Sequence, residues 1–382
     1  MMRISSQFDA GNIEVISAES INNIQLKIRK DNQSDFLQWF HFRLHGAKNQ
    51  ACTLKILNAS ACSYPQGWQN YNIVASYDKE HWFRIPSHYD GNALIIKHTP
   101  EANSIYYAYF TPYSFERHQE LIGHAQQHNQ CEVSLLSQTV DGRDLDLLTL
   151  GQPDQSDSDH HHKKKIWLIA RQHPGETMAE WFIEGFLGAL LDENNALAQV
   201  LLSKAVFYVV PNMNPDGSVR GNLRTNAAGA NLNREWQTPS ITKSPEVYYV
   251  KEKMQETGID LFLDIHGDEA LPYNFVAGTE GNPSYSARIQ SLEEQFKDAF
   301  KQTNPDFQDQ YGYDKDQPGQ ANLTVACNNI GQTFDCLAFT IEMPFKDNAD
   351  LPCKEFGWSA ERSEQLGASV LQPIYNVIGQ LR

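Results

Sequence analysis

Four short stretches of the chain carry residue types that do chemistry: His173-Pro174-Gly175-Glu176, Asn231-Leu232-Asn233-Arg234, Asp264-Ile265-His266-Gly267 and Ile341-Glu342-Met343-Pro344. Each sets polar groups at the end of an apolar run or in a turn beside one. Pooled, they offer two imidazoles and a carboxylate for a metal ion, guanidinium donors for an anion, and one further carboxylate for proton transfer.

His173 and Glu176 are three residues apart, with Pro174 and Gly175 shaping the turn between them, so one imidazole and one carboxylate can converge. A catalytic zinc takes three protein ligands and keeps one position open, and two histidines with one glutamate form a standard set. His266, at the exit of a second buried strand, is the natural third ligand, brought in from far along the chain only by folding. An H-x-x-E pair alone recurs by chance; its weight here comes from the two strand exits, where open α/β sheets gather functional groups. Glu342 closes another apolar strand, which is costly unless the carboxylate is paired or faces a cleft. It is either half of a structural salt bridge or a general base for an attacking water. Arg220, Arg224 and Arg234 follow the turn Asn212–Gly217 in a polar, Gly-containing stretch. Asn233-Arg234 beside Arg224 suits a bound carboxylate, with a second arginine left for an oxyanion. Asp264 and Asp268 flank His266 and either orient it or are solvated.

To bring these groups together, the elements that carry them must form one sheet. Residues 166–170, 205–210, 260–265 and 337–341 are continuous apolar runs and read as buried strands. Between and after them, residues 180–191, 245–257, 284–301 and 359–381 have helical apolar spacing. A hairpin over 133–150 turns at Asp141-Gly142. This alternation predicts an α/β fold whose sheet is covered on both faces. Before it, residues 36–44, 52–57, 71–76, 93–98 and 104–110 are short, regularly spaced strand patterns, which predict an antiparallel β-sandwich. A helix capped by Ser114 then opens the second unit, so the expected domains are 1–113, an accessory sandwich, and 114–382, the catalytic domain.

The chain has 382 residues, a hydrophobic fraction of 41% and a formal net charge of −16. That charge repels polyphosphate and argues against nucleic acid as a partner, so local arginines must hold any anionic substrate. The six cysteines include no C-x-x-C pair and read as reduced thiols. No N-terminal apolar segment resembles a signal peptide, and no run nears the ~20 apolar residues of a membrane span. The expectation is a soluble cytoplasmic protein with no membrane partner. The polar run 152–165 contains His160, His161 and His162, read as a solvated loop before a strand rather than a metal site.

With these residues in order, the chain resembles the zinc metallocarboxypeptidases of the carboxypeptidase A clan (family M14), and within it the cytosolic carboxypeptidase-like branch. HPGE, NPDG, GNLR, NLNREW, DIHGD and TIEMPF follow in the family's order, and FLQWFHFRL and YYAYFTPYSFER resemble that branch's N-terminal sandwich. The resemblance implies a mixed-sheet α/β/α carboxypeptidase domain and one Zn2+ per chain on His173, Glu176 and His266. It implies Glu342 as general acid/base and Arg224 polarising the scissile carbonyl. It implies Asn233 and Arg234 gripping the terminal carboxylate of a peptide or protein C-terminal tail. Three departures stand out. Asn231 occupies the place of an aspartate that orients the first zinc histidine. No tyrosine lies between Tyr313 and Glu342, so the family's mobile tyrosine is assigned to no residue. The eukaryotic cytosolic members favour C-terminal or branch-point glutamate, and the basic residue that would select it is assigned to no position here. Two other functions share the same parts: a same-fold zinc deacylase acting on N-acyl amino acids, and a non-catalytic zinc protein that binds C-terminal carboxylates.

Overall fold

The computed structural model describes residues 2–152 and 163–382; the histidine run at 160–162 lies outside the described residues. The N-terminal strands are β1 (Arg3–Ser5), β2 (Glu14–Ser17), β3 (Ile24–Lys27), β4 (His41–His45), β5 (Cys52–Ile56), β6 (Ile73–Ser76), β7 (Phe83–Ile85), β8 (Ser87–Tyr89), β9 (Leu94–His98) and β10 (Ser104–Ala108). They form two five-stranded sheets, ordered β1-β4-β10-β6-β7 and β2-β3-β5-β9-β8. Ile24, Leu54 and Ile96 of one sheet and Phe42, Leu44 and Tyr107 of the other are buried in a common core, which makes the pair a sandwich. Its pairing is antiparallel except between β3 and β5, which run parallel. The strand expected over 36–44 begins only at His41. Trp39 is buried ahead of it and donates its indole N–H to the Ala10 carbonyl (2.8 Å), so aromatic burial there does not require a ladder.

Helix α1 (Phe115–Ala125) follows, with Ser114 Oγ accepting from the Arg117 amide as its cap. Then come β11 (Cys131–Gln138), β12 (Asp144–Leu150), β13 (Lys164–Ala170), α2 (Met178–Leu190), α3 (Ala196–Lys204), β14 (Ala205–Val210), α4 (Pro215–Arg220), α5 (Pro245–Thr257), β15 (Leu261–Asp268), β16 (Phe275–Ala277), α6 (Ala287–Thr303), α7 (Ala326–Phe334), β17 (Leu337–Pro344), α8 (Ala360–Ser369) and α9 (Leu371–Ile378). The seven-stranded sheet is ordered β11-β12-β14-β13-β15-β17-β16. β14, β13, β15 and β17 are parallel, and antiparallel strands close both edges.

The continuous apolar runs are explained by burial on both faces. Ile166, Leu168, Leu261, Leu263, Leu337 and Phe339 join the core beneath α2, α6, α8 and α9, while Trp167, Ile169, Phe262 and Ala338 join a second core beneath α5 and α7. Side chains alternate along a strand. Asp264 and His266 therefore share the face of Phe262, and Thr340 and Glu342 share that of Ala338. β15 and β17 each run further than the sequence suggests, so that His266 and Glu342 sit within the ladder, directly opposite each other.

The closing helix expected over 359–381 is two helices, with the break at Val370. Pro373 has no N–H and its ring clashes with the carbonyl four residues back, at Ser369. Sandwich and α/β sheet are packed together. Tyr109 stacks on Phe345 with centroids 4.5 Å apart, and Arg84 donates to the carbonyls of Phe345 (3.0 Å), Phe356 (3.1 Å) and Trp358 (2.9 Å). Among the described residues, no helix is long and apolar enough to cross a membrane. All six cysteines are free.

Candidate metal centre and active site

β13 ends at Ala170, and the chain turns at once. Arg171 takes a left-handed conformation (φ 59°), which costs a residue with a Cβ about 1–2 kcal/mol. Buried donors hold it there: Nη1 reaches Glu180 Oε2 (2.6 Å) and the Tyr113 carbonyl (2.9 Å), and Nε reaches the Pro174 carbonyl (3.1 Å). This turn carries the chain past the carboxyl end of β13 to His173. Gly175 then passes so close to residue 223 that a Cβ would lie 2.9 Å from the Leu223 carbonyl oxygen. On β15, a Cβ at Gly267 would lie 2.4 Å from Met178 Sδ, so glycine lets the strand end pack on α2 beneath the site.

These constraints bring His173, Glu176 and His266 together, all buried, with their ligand atoms within 4.8 Å of one another. His173 Nδ1 lies 2.7 Å from Glu176 Oε1, and His266 Nδ1 lies 2.7 Å from Glu176 Oε2. The far nitrogens face acceptors: His173 Nε2 is 3.0 Å from Asn231 Oδ1, and His266 Nε2 is 3.0 Å from Asp264 Oδ2. With the far nitrogens donating to those acceptors, both Nδ1 atoms would be the ones to face a cation, and the donor set is the one catalytic zinc favours. Asn231 thus meets the far side of His173 with its amide oxygen.

The electrostatics match a site made for positive charge. Burial pushes His173 down to about 4, with Arg224 adding to the effect. Burial also opposes charge on His266, but Asp264 and Glu176 outweigh it and hold that imidazole well above its ordinary value. Burial would raise Glu176, yet the two histidines hold its carboxyl below the usual range. Glu342 behaves oppositely. Burial pushes it well above the normal carboxylate value, and Glu176 and Asp268 reinforce this against His266 and a hydrogen bond from Tyr313. Its Oε1 accepts from the Tyr313 hydroxyl at 3.0 Å; its buried Oε2 has no partner among the described residues.

One cavity of about 1070 Å³ is lined by His173, Glu176 and His266, by Glu342 and Arg224, and by Asn233 and Arg234. These seven residues face the same space, whereas Arg220, also a candidate from sequence, lies outside it with its guanidinium paired to Asp141 (2.9 and 2.8 Å). Asn233 spends its amide oxygen on the Ala326 N–H (2.8 Å), which leaves its NH2 as a donor. Arg234 is exposed and donates Nη1 to the Asn233 carbonyl (2.6 Å), tying the two together. Of the two aspartates beside His266, Asp264 orients the imidazole, whereas Asp268 caps the next turn and accepts from the Tyr313 hydroxyl (2.8 Å). Asn214-Pro215-Asp216-Gly217 starts α4, where Asn214 Oδ1 accepts from the Gly217 amide (3.0 Å).

Comparison with known proteins agrees with this geometry. Residues 4–110 match the cytosolic carboxypeptidase N-terminal domain, and residues 119–365 match the zinc carboxypeptidase family. The chain belongs to the zinc carboxypeptidase family. An uncharacterised protein of Zymomonas mobilis is 47% identical over 100% of this carboxypeptidase and 97% of its own length. The metallo-carboxypeptidase from Burkholderia cenocepacia is 50% identical and superposes with a TM-score of 0.96, with both chains covered in full. That from Pseudomonas aeruginosa, in complex with (2-guanidinoethylmercapto)succinic acid, is 47% identical, with a TM-score of 0.95 and full coverage of both. Human cytosolic carboxypeptidase 2 is 26% identical over 72% of this chain, which spans about a third (34%) of that relative's length.

Several residues of this carboxypeptidase's site were not found from sequence. Tyr313 was passed over, yet its hydroxyl bridges Asp268 and Glu342. The one signal was an aromatic in the polar stretch DQYGYDKD. Gln172, next to His173, donates to Asp264 Oδ2 (2.7 Å) and accepts from the Trp236 indole (2.8 Å), fixing the carboxylate that fixes His266. Tyr64 and Gln66 bring the sandwich into the cavity wall, where no sequence pattern pointed.

Proposed function

We propose that this zinc carboxypeptidase hydrolyses the C-terminal peptide bond of peptides or protein tails, with residues 114–382 as the catalytic unit and 1–113 as an accessory sandwich. His173, Glu176 and His266 would hold one Zn2+ per chain. Bound there, zinc supplies Lewis acidity and lowers the pKa of water. Glu342, through its unpartnered Oε2, takes a proton from the attacking water and delivers it to the departing amine. Burial keeps its proton affinity high, which suits a carboxylate that must accept a proton and then release it. Arg224 donates to the carbonyl oxygen as negative charge grows on it. Arg234 and the Asn233 amide hold the terminal carboxylate, which is the local answer to a net charge of −16 that would otherwise repel an anionic tail. The succinic acid derivative bound by the Pseudomonas neighbour is a carboxylate of the kind these donors would receive.

The observation that carries this reading is the shared cavity: metal-type donors, a buried carboxylate oxygen without a partner among the described residues, and two guanidiniums face one space. The test is mass spectrometry of a mixed library of N-blocked peptides and N-acyl amino acids, incubated with and without a chelator. Loss of single C-terminal residues that stops on chelation is expected. Release of acyl groups without peptide shortening would identify a deacylase, and no turnover at all a binding protein.

A further inference from the structure

Arg224 has no hydrogen bond or ion pair from its guanidinium among the described residues, although it lines the cavity beside the metal-type donors. What holds it comes from the N-terminal sandwich. The buried Asp31 carboxylate accepts from three consecutive amides: Leu223 at 2.6 Å, Arg224 at 2.8 Å and Thr225 at 2.9 Å. It also accepts from the Thr225 hydroxyl at 3.1 Å. Beside it, Asn32 donates to the carbonyls of Asn226 (3.2 Å) and Ala227 (2.7 Å) and accepts from Asn222 Nδ2 (2.7 Å). The guanidinium lies 5.5 Å from the ring centres of both Phe36 and Tyr64. Tyr64 is in turn fixed by the buried Gln38, which accepts from its amide (2.8 Å) and donates to its carbonyl (3.1 Å).

Two aromatic faces orient a guanidinium without using any of its N–H donors. A carboxylate that accepts several backbone amides fixes the Cα from which that side chain leaves. The combination places a cation and leaves its donors free for a substrate oxygen. We propose that the sandwich is a working part of the active site: Asp31 and the Phe36/Tyr64 ring pair are positioning residues that set Arg224 against the scissile carbonyl. The inference rests on the role given to Arg224 above and adds to it a cause in the other unit. Charge stabilisation by a donor depends on its placement before reaction, and a displacement of about 1 Å costs on the order of 10²-fold in rate.

The test is Asp31→Asn and Phe36→Leu, each made alone and in an Arg224→Ala background, assayed on the best-cleaved N-blocked peptide of the library above. Asparagine turns an NH2 toward amides that need an acceptor. Phe36 does not line the cavity, so its loss cannot act through substrate contact. Expected for Asp31→Asn is a fall in kcat/KM of about 10–100-fold, carried mostly by kcat, with zinc content unchanged. Hydrogen exchange at the amides of 223–225 should become faster. In the Arg224→Ala background the same change should cost less than about twofold, because the residue it acts through is gone. An equal fall in both backgrounds, or full activity of Asp31→Asn, would overturn the proposal. If Asp31→Asn does not fold, Phe36→Leu decides: a fall of several-fold that vanishes without Arg224 supports the proposal, and a fall that persists overturns it. Full activity of Arg224→Ala alone would remove the role of Arg224 itself and the proposal with it. Full activity of Asp31→Asn beside a crippled Arg224→Ala would remove only the proposal.

Discussion

Replacing Glu342 by glutamine tests the proposed chemistry most directly. The change keeps size and shape, and the amide oxygen can still accept from the Tyr313 hydroxyl, now 3.0 Å from Oε1. What is lost is the basicity of Oε2, the oxygen with no partner among the described residues. General-base assistance is worth about 10²–10⁴-fold, so kcat should fall by about 10³, equivalent to about 4 kcal/mol of barrier. KM and zinc content should change little, since Glu342 is not among the three metal-type donors. Stability should move the other way. Burial raises the Glu342 carboxyl above its ordinary 4.5, so the folded chain keeps a proton that the unfolded chain gives up. In the metal-free protein that mismatch costs nothing below the unfolded value and grows as pH rises through the window above it. The glutamine variant, measured with chelator present, should therefore melt higher than the parent, by a margin that increases from pH 5 to pH 8. The assays are steady-state hydrolysis, metal analysis and calorimetry on one preparation. Hydrolysis within tenfold of the parent would refute the assigned base; loss of zinc would show that 342 belongs to the metal site instead.

Three further outcomes follow from individual contacts. Tyr313→Phe removes the hydroxyl that favours the Glu342 carboxylate, so the acid limb of the kcat/KM profile should move to higher pH; a profile that moves lower or stays put contradicts the contact. Asn231→Asp puts a full charge 3.0 Å from His173 Nε2 and should tighten zinc by about 10-fold or more in competition with a chelator, on the scale typical of such supporting partners; unchanged affinity would show that the amide already suffices. Glu246, buried at the start of α5 under two long contacts from Asn226 (3.2 and 3.3 Å), is pushed by burial up to about 8. The raised value means that the folded state holds an extra proton between about 4.5 and 8, so stability from this group declines as pH rises through that window. Glu246→Gln should flatten the decline in denaturant titrations from pH 5 to pH 8, and an unaltered slope would assign the dependence elsewhere.

The sequence by itself determined the α/β class, the sandwich ahead of it and the seven residues that meet in the cavity. Their signals are local. Apolar runs such as 205–210 announce buried strands because both faces of the sheet are covered, and β14 has those bounds. His173, Glu176, His266 and Glu342 are polar groups at the ends of such runs, where burial is costly without a purpose. Short elements such as β16, with three residues, and α3 and α7, with nine each, escaped because so few residues carry too little periodicity, and the break at Val370 needed Pro373 to be weighed against a strongly amphipathic pattern.

Only the tertiary structure decided what surrounds those groups. That His266 and Glu342 stand opposite each other is a matter of strand register, and register depends on cores packed from α2 to α9. Tyr313 reaches Glu342 from a loop 29 residues upstream, and Asp31 reaches the amides of 223–225 across more than 190 residues. Contacts of that span leave no mark on neighbouring residue types, because a hydrogen bond between distant segments constrains one side chain at each end and nothing between. The proposed ligands could be read along the chain; the groups that surround them come together only where the sandwich packs against residues 222–227.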